Sequence, residues 1–234
     1  MNIPNGGSNL TPKILSVNVS LPKEIDFEGQ RVITGIFKEP IEGRIKLRTL
    51  NLDGDKQADL AVHGGLDKAV YAYPIEHYVF WREVFPTMEL PYGMFGENLT
   101  IEGLMENEVS VGDSFEIGSS KVMATQPRMP CYKLGIKFRR MDIIKKFLAS
   151  GRSGIYFKVL EEGEIGAGDP IVQIKKDTSQ VAISDIVRLY VSDRNDIKTM
   201  RHAVKVEALP EGWKHYFLEQ IRRVEGSHTK RKHQ

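Results

Sequence analysis

From Ile14 to about Lys176 the chain alternates apolar and polar positions in short runs punctuated by glycine, as in "KILSVNVSLP", "RVITGIFKEP", "GRIKLRTLNLDGD", "NEVSVGDSFEIGSSKVMATQ" and "GIYFKVLEEGEIGAGDPIVQI". Val109 and Val111 alternate with polar neighbours, while Phe115 with Ile117 and Val122 with Ala124 flank a Gly-Ser-Ser turn, the pattern of a hairpin. Many short strands joined by glycine turns predict a mainly β fold rolled into a barrel. Two helices interrupt it. One is predicted to start at Pro74 and run through "IEHYVFWREVF"; the other is "FRRMDIIKKFLASG", with Phe138, Met141, Ile144 and Leu148 on one stripe and Gly151 as its stop.

After "KKDTSQ" the apolar period lengthens. Ile183, Val187 and Tyr190 form one helical stripe, Ile197, Met200 and Val204 a second, and Trp213, Phe217, Ile221 and Val224 a third. Three short helices of this size cannot bury a robust core of their own, so they are expected to pack on the barrel or on a partner. The predicted division is a barrel over residues 1–176, a three-helix extension over 177–225 and a disordered basic tail over 226–234.

Composition narrows the classes. The 234 residues, 41% of them hydrophobic, allow one main domain with an appendage. Lys and Arg total 33 against 31 Asp and Glu, and this balance, with acidic residues mixed into the helices, argues against nucleic acid as a partner. The single cysteine excludes an intrachain disulfide framework and fits a reducing compartment. No apolar run reaches the ~20 residues of a membrane span, and "MNIPNGGSNLTPK" lacks the features of a secretory signal, so a soluble cytoplasmic protein is expected.

Three segments carry candidate chemistry. In "QPRMPCYKLG", Pro127 and Pro130 predict a stiff loop around Cys131, and Arg128 and Lys133 lie beside it. Cations near a thiol favour the thiolate, the form that attacks electrophiles or binds metal, whereas the alternative is a small buried apolar residue. In "AVHGGLDKAVYAYP", His63, Gly64, Gly65 and Lys68 offer close backbone approach and a cation to an anion, or else a hairpin turn with a solvated lysine. In "YGMFGENLTIEGL", Gly96, Glu97 and Asn98 suit the edge of a heterocycle, or form an ordinary loop in which Asn98 caps its own backbone. Other chemistries fail on spacing. There is no P-loop, no HExxH and no second cysteine for a closed zinc site, "DGDKQAD" has its glycine in the wrong place for a calcium loop, and His63 with Cys131 lacks the signature of a hydrolase.

Taken in order, "VHGGLDKAVYAYPIEHYVFW", "FGENLTIEGL" and "VGDSFEIG" leading into "TQPRMPCYKLG" resemble the MOSC domain, the family named for the C-terminal domain of molybdenum cofactor sulfurase. The likeness, from about Ile14 to about Val224, is closest to the stand-alone bacterial YiiM-type members with a three-helix extension. It implies a MOSC-type β-barrel whose cleft binds the molybdenum cofactor, with Cys131 as the metal ligand. It further implies Gly64, Gly65, Lys68, Arg128 and Lys133 around the cofactor, Arg128 or Lys68 at the pterin phosphate, and His63 and Asn98 at the pterin or the substrate. The implied activity is reduction of N-hydroxylated compounds such as hydroxylaminopurine, a detoxification of base analogues. A family-level association with pyridoxal phosphate binding comes with the resemblance. Electrons have to come from an external reductase, because the chain has neither a Rossmann fingerprint nor a cysteine cluster for iron and sulfur. The three helices are a candidate docking face for that reductase, and a homodimer is left open. A carrier of cofactor or sulfur, using Cys131 without turnover, is the competing expectation.

Overall fold

A computed structural model describes residues 11–56 and 64–231. In chain order the elements are β1 (Lys13–Val19), β2 (Lys23–Phe27), β3 (Gln30–Thr34), β4 (Glu39–Pro40), β5 (Arg44–Leu47), β6 (Val70–Pro74), α1 (Glu76–Val84), β7 (Leu99–Glu102), β8 (Ser114–Ile117) and β9 (Ser120–Pro127). They continue with α2 (Tyr132–Phe138), α3 (Asp142–Ser150), β10 (Ile155–Glu161), β11 (Gly163–Gly166), β12 (Ile171–Lys175), α4 (Ile183–Val191), α5 (Ile197–Ala203) and α6 (Glu211–Arg231).

Eight strands form one mixed sheet in the order β12-β8-β9-β10-β6-β7-β1-β4, in which only β6 and β7 run parallel. The expected barrel is corrected here: the sheet is not closed. Closure needs a continuous staggered ladder around the ring, and edge strand β4 is only two residues long. The ends are linked near the start of β1 by an isolated Lys13–Pro170 bridge, with Ile171 N donating to Pro12 O at 2.7 Å. The Gly-Ser-Ser hairpin forms as expected, with Ile117 opposite Ser120 and Gly118 at φ 58°. Val109 and Val111 are fully buried but lie outside any strand, and only Ser110 between them bridges, to Ala182.

The helices also differ in detail from the sequence pattern. Pro74 closes β6 instead of opening a helix, because its Cα register continues the parallel pairing, opposite Ile101. The segment expected as one helix is two, since Arg139 turns left-handed (φ 52°) after α2. That break resets the phase, so α3 buries Ile143 and Phe147 while Met141 is exposed. α6 carries the chain through 226–231, where disorder was expected. The stretch contains no proline, and extending an existing helix costs far less than starting one.

Two cores result. In one, Ile183, Ile186, Leu189, Met200, Phe217 and Ile221 of the C-terminal helices join Phe115, Val122, Ala124 and Phe157 of the sheet, so the extension shares the sheet's core. The other is aromatic: Tyr71, Tyr73, Tyr78, Trp81, Phe85, Phe95, Phe138 and Phe147 pack between β6, α1, α2 and α3. Trp81 donates its indole N–H to Tyr73 Oη at 2.7 Å, which satisfies its one buried donor. This second core underlies the segment that carries Cys131.

Candidate functional site

β9 ends at Pro127, and Arg128, Met129 and Pro130 connect it to α2. Cys131 is the residue before the first turn of α2, extended at φ −126° and ψ 173°, partly exposed, with its carbonyl accepting from Leu134 N at 2.9 Å. The two prolines and the hydrogen-bonded first turn fix the backbone on both sides of the thiol.

One cleft beside it is lined by Thr34, Gly35, Ile36, Lys38, Lys56, Tyr71, Gly96, Asn98, Arg128, Met129, Cys131, Lys133 and Tyr156. Four of these are cations. Gly35 permits the close approach of β3 to the chain at Lys56, since a Cβ there would lie 2.5 Å from the Lys56 carbonyl oxygen. Arg128 is 7% exposed, and its guanidinium carbon lies 5.2 Å from the Tyr71 ring centre and 5.5 Å from that of Phe147. Its Nη1 is buried and has no hydrogen-bond partner among the described residues. Burial works against that charge, and the neighbouring Tyr71, Tyr156 and Cys131 outweigh it, so the proton is held more firmly than usual. A buried guanidinium nitrogen left unpaired is costly unless an anion or other acceptor completes it.

Asn98 lines the same cleft, but its amide is already committed. Its oxygen accepts from Tyr71 N at 3.2 Å, and its nitrogen donates to Asp55 Oδ2 at 2.8 Å and Asn18 O at 3.4 Å. Asp55 also accepts from Ser20 N at 2.9 Å and pairs with Lys38, both partners buried. Asn98 therefore ties β1, β6 and the Asp55 turn together, and Asp55 holds Lys38 at the wall. Behind the wall Glu97, fully buried, accepts from Gly93 N at 2.8 Å, Phe95 N at 3.0 Å, Thr100 Oγ1 at 2.9 Å and the Tyr78 hydroxyl.

Lys137 of α2 donates to Ile36 O at 2.8 Å and Gly93 O at 2.5 Å, joining the Cys131 helix to both loops behind this wall. Burial pulls its ammonium down from 10.5 to about 8, against the upward pull of Glu97. A lysine with a folded value below its unfolded one weakens the fold while protonated, so its contribution rises as pH climbs from about 8 to 10.5. The stability of the protein relative to a Lys137→Met variant, from urea unfolding at stepped pH, is expected to be flat below pH 8 and to rise by up to about 3 kcal/mol above it. A difference that stays level across that interval would refute the buried-lysine assignment.

A second cleft meets the first at Met129, Cys131 and Tyr156. Its sequence-near wall is Gly64, Gly65, Leu66, Asp67 and Lys68 with Gln126, Pro127 and Pro130, and its far wall is Tyr190, Pro210, Glu211, Gly212, Trp213 and Tyr216. Gly65, at φ 95°, opens a short 3-10 turn over Leu66–Lys68, a conformation glycine supplies without strain. Burial lowers the affinity of Lys68 for its proton, with Asp67 opposing.

Of the expected site residues, Asn98, Arg128, Cys131 and Lys133 thus line the first cleft, and Gly64, Gly65, Lys68 and Cys131 the second. His63 lies outside the described residues. Lys38, Lys56, Tyr71, Tyr156 and the rings of α4 and α6 carried no signal in the sequence that set them apart. Asp55 sat in the stretch dismissed as a calcium loop, and its acidic cluster was the one clue to a buried ion pair.

A curled mixed sheet with a thiol at the junction of a cationic and an aromatic cleft, capped by three helices, defines the class. The MOSC domain model matches residues 59–172, and the YiiM-like, 3-alpha helix domain model matches residues 181–223. The uncharacterized protein YflK of Bacillus subtilis (strain 168) is 36% identical over 90% of this chain and 95% of its own length. The crystal structure of YiiM from Geobacillus stearothermophilus superposes with a TM-score of 0.76 at 33% identity, over 90% of this chain and 99% of that one. A protein named "Reductase" from Gibberella moniliformis (strain M3125 / FGSC 7600) is 29% identical over 69% of this chain, but over only 29% of its own length. The chain belongs to the MOSC family, among the YiiM-like members that carry the three-helix domain. Among the described residues no group of three or more His, Cys, Asp or Glu could hold a metal ion, and no helix is long and apolar enough to cross a membrane.

Proposed function

We propose that this protein is a molybdenum-cofactor-dependent reductase that removes oxygen from N-hydroxylated compounds such as hydroxylaminopurine bases. The observation that carries the reading is the buried, unpartnered Nη1 of Arg128 in a cleft that also holds Lys38, Lys56, Lys133 and the thiol of Cys131. A pterin cofactor with an anionic phosphate and a sulfur-ligated metal asks for both: concentrated positive charge and one soft thiolate. The residues present fit that group. The distant relative named as a reductase supports the reaction type.

When bound, the cofactor would supply a centre able to accept the oxygen and pass two electrons at a time. The net change is R–NH–OH plus two electrons and two protons to R–NH2 and water. The N–O bond breaks, and the electrons come from a separate reductase. Cys131 would hold the metal, and Arg128 would anchor the cofactor's anionic end and offset its charge. Lys38 would offer an N–H donor from a fixed position, because Asp55 restrains its amino group and balances its charge. Tyr156 lines both clefts with its hydroxyl kept protonated by burial, a donor for the oxygen that leaves nitrogen.

The deciding measurement is metal analysis of protein made in a cofactor-competent host, followed by turnover of hydroxylaminopurine with an artificial reductant. Bound molybdenum with no amine formed from any N-hydroxylated compound would replace this reading with a carrier role. Arg128→Met keeps most of the side-chain stem and removes the charge. It is expected to weaken cofactor retention by about 10- to 100-fold, the loss of a charge-assisted bond, read as molybdenum per protein after gel filtration. Retention equal to wild type would remove Arg128 from the cofactor site.

A further inference from the structure

The two clefts that meet at Cys131 have different walls. The first collects Lys38, Lys56, Arg128 and Lys133. Among the described residues the second carries one cation, Lys68, against Asp67 and Glu211, so it suits an uncharged occupant rather than an anion. Its far wall includes three aromatic residues, Tyr190, Trp213 and Tyr216.

That wall is held rigidly. Trp213 stacks on the fully buried Phe217 with ring centres 5.7 Å apart at 30°, and Tyr190 meets Trp213 edge-on at 5.6 Å and 84°. The Trp213 indole N–H donates to Gln126 Oε1 of β9 at 3.0 Å, and Gln126 Nε2 donates to Asp67 O at 3.3 Å. The rings from α4 and α6 are thereby fixed to the strand that leads into Cys131. Aromatic faces held in place beside a thiol favour flat ligands, since every aromatic heterocycle presents a π-face to stack.

We infer that the three-helix unit is the specificity element of the site: Trp213, flanked by Tyr190 and Tyr216, stacks a flat, uncharged, aromatic N-hydroxylated compound in the second cleft. The bound compound presents its N–O group toward Cys131, while the cationic cleft is left to the cofactor. This rests on the reductase reading and adds the residues that select the aromatic substrate and the cleft that receives it.

Two measurements test it, one of which needs no turnover. In cofactor-free protein, adenine is expected to quench tryptophan fluorescence, and the quench should vanish in Trp213→Phe, because the remaining tryptophan, Trp81, is fully buried. In loaded protein with an artificial reductant, Trp213→Ala should lower the preference for hydroxylaminopurine over N-hydroxyurea, as the ratio of kcat/KM, by about tenfold or more. Trp213→Phe, which keeps a stacking ring and guards against misfolding of the alanine variant, should recover most of that ratio. Quenching by adenine in a protein that reduces none of these compounds would overturn the reductase reading and leave the aromatic slot standing. No quench together with an unchanged ratio would overturn the slot. So would a loss seen with all substrates alike and only when a protein donor replaces the artificial one, which would make the helices a docking face instead.

Discussion

Cys131→Ser is expected to reduce turnover of N-hydroxylated substrates by more than about 100-fold, beyond the 10- to 100-fold typical of removing a partner outside the metal's own ligands. The fold should survive. Cys131 sits immediately before the first turn of α2, a position at which serine is among the preferred residues, so the hydroxyl fits there without strain. What serine lacks is the soft, readily ionised sulfur that suits a sulfur-ligated metal. Thermal unfolding should therefore match wild type, while molybdenum per protein and amine formation both fall. Turnover at the wild-type level, with metal still bound, would sink the assignment of Cys131 as ligand.

Glu97→Ala is expected to destabilise the protein by about 3–5 kcal/mol, because it strips the acceptor from a group of buried donors at once. Glu97 takes hydrogen bonds from Gly93 N, Phe95 N, Thr100 Oγ1 and the Tyr78 hydroxyl, all in the interior. Burial raises its pKa, so protonating Glu97 costs less than protonating an exposed carboxylate. Glu97→Gln preserves the shape and one acceptor oxygen and should cost markedly less. Urea midpoints of the two variants check this: equal losses would mean that charge, not the count of acceptors, decides the role of Glu97. Since Lys137 of α2 hydrogen-bonds Gly93 O, loosening the Gly93 turn should also loosen the segment that begins at Cys131.

Much of the architecture was readable from local pattern. The hairpin at Gly118 and the three C-terminal helices follow from periods of two and 3.6, which depend only on neighbours in the chain. Where local pattern met a tertiary override, it failed. Arg139 in a left-handed turn splits a helix that the sequence writes as continuous, and it shifts the buried stripe to Ile143 and Phe147. The barrel remained an open sheet because closure depends on strand length and stagger far apart in sequence.

By itself the sequence determined the family, through motifs whose order and spacing are carried along one chain, and it singled out Cys131 with Arg128 and Lys133 within three positions of it. Only the tertiary structure decided what surrounds the thiol. Asp55 reaches Asn98 across 43 positions and Trp213 reaches Gln126 across 87, and no local pattern encodes such pairs. Burial, likewise, is a property of the packed molecule: it left one guanidinium nitrogen of Arg128 without a partner among the described residues, and it sorted the stripe of α6 into core residues such as Phe217 and a cleft residue, Trp213.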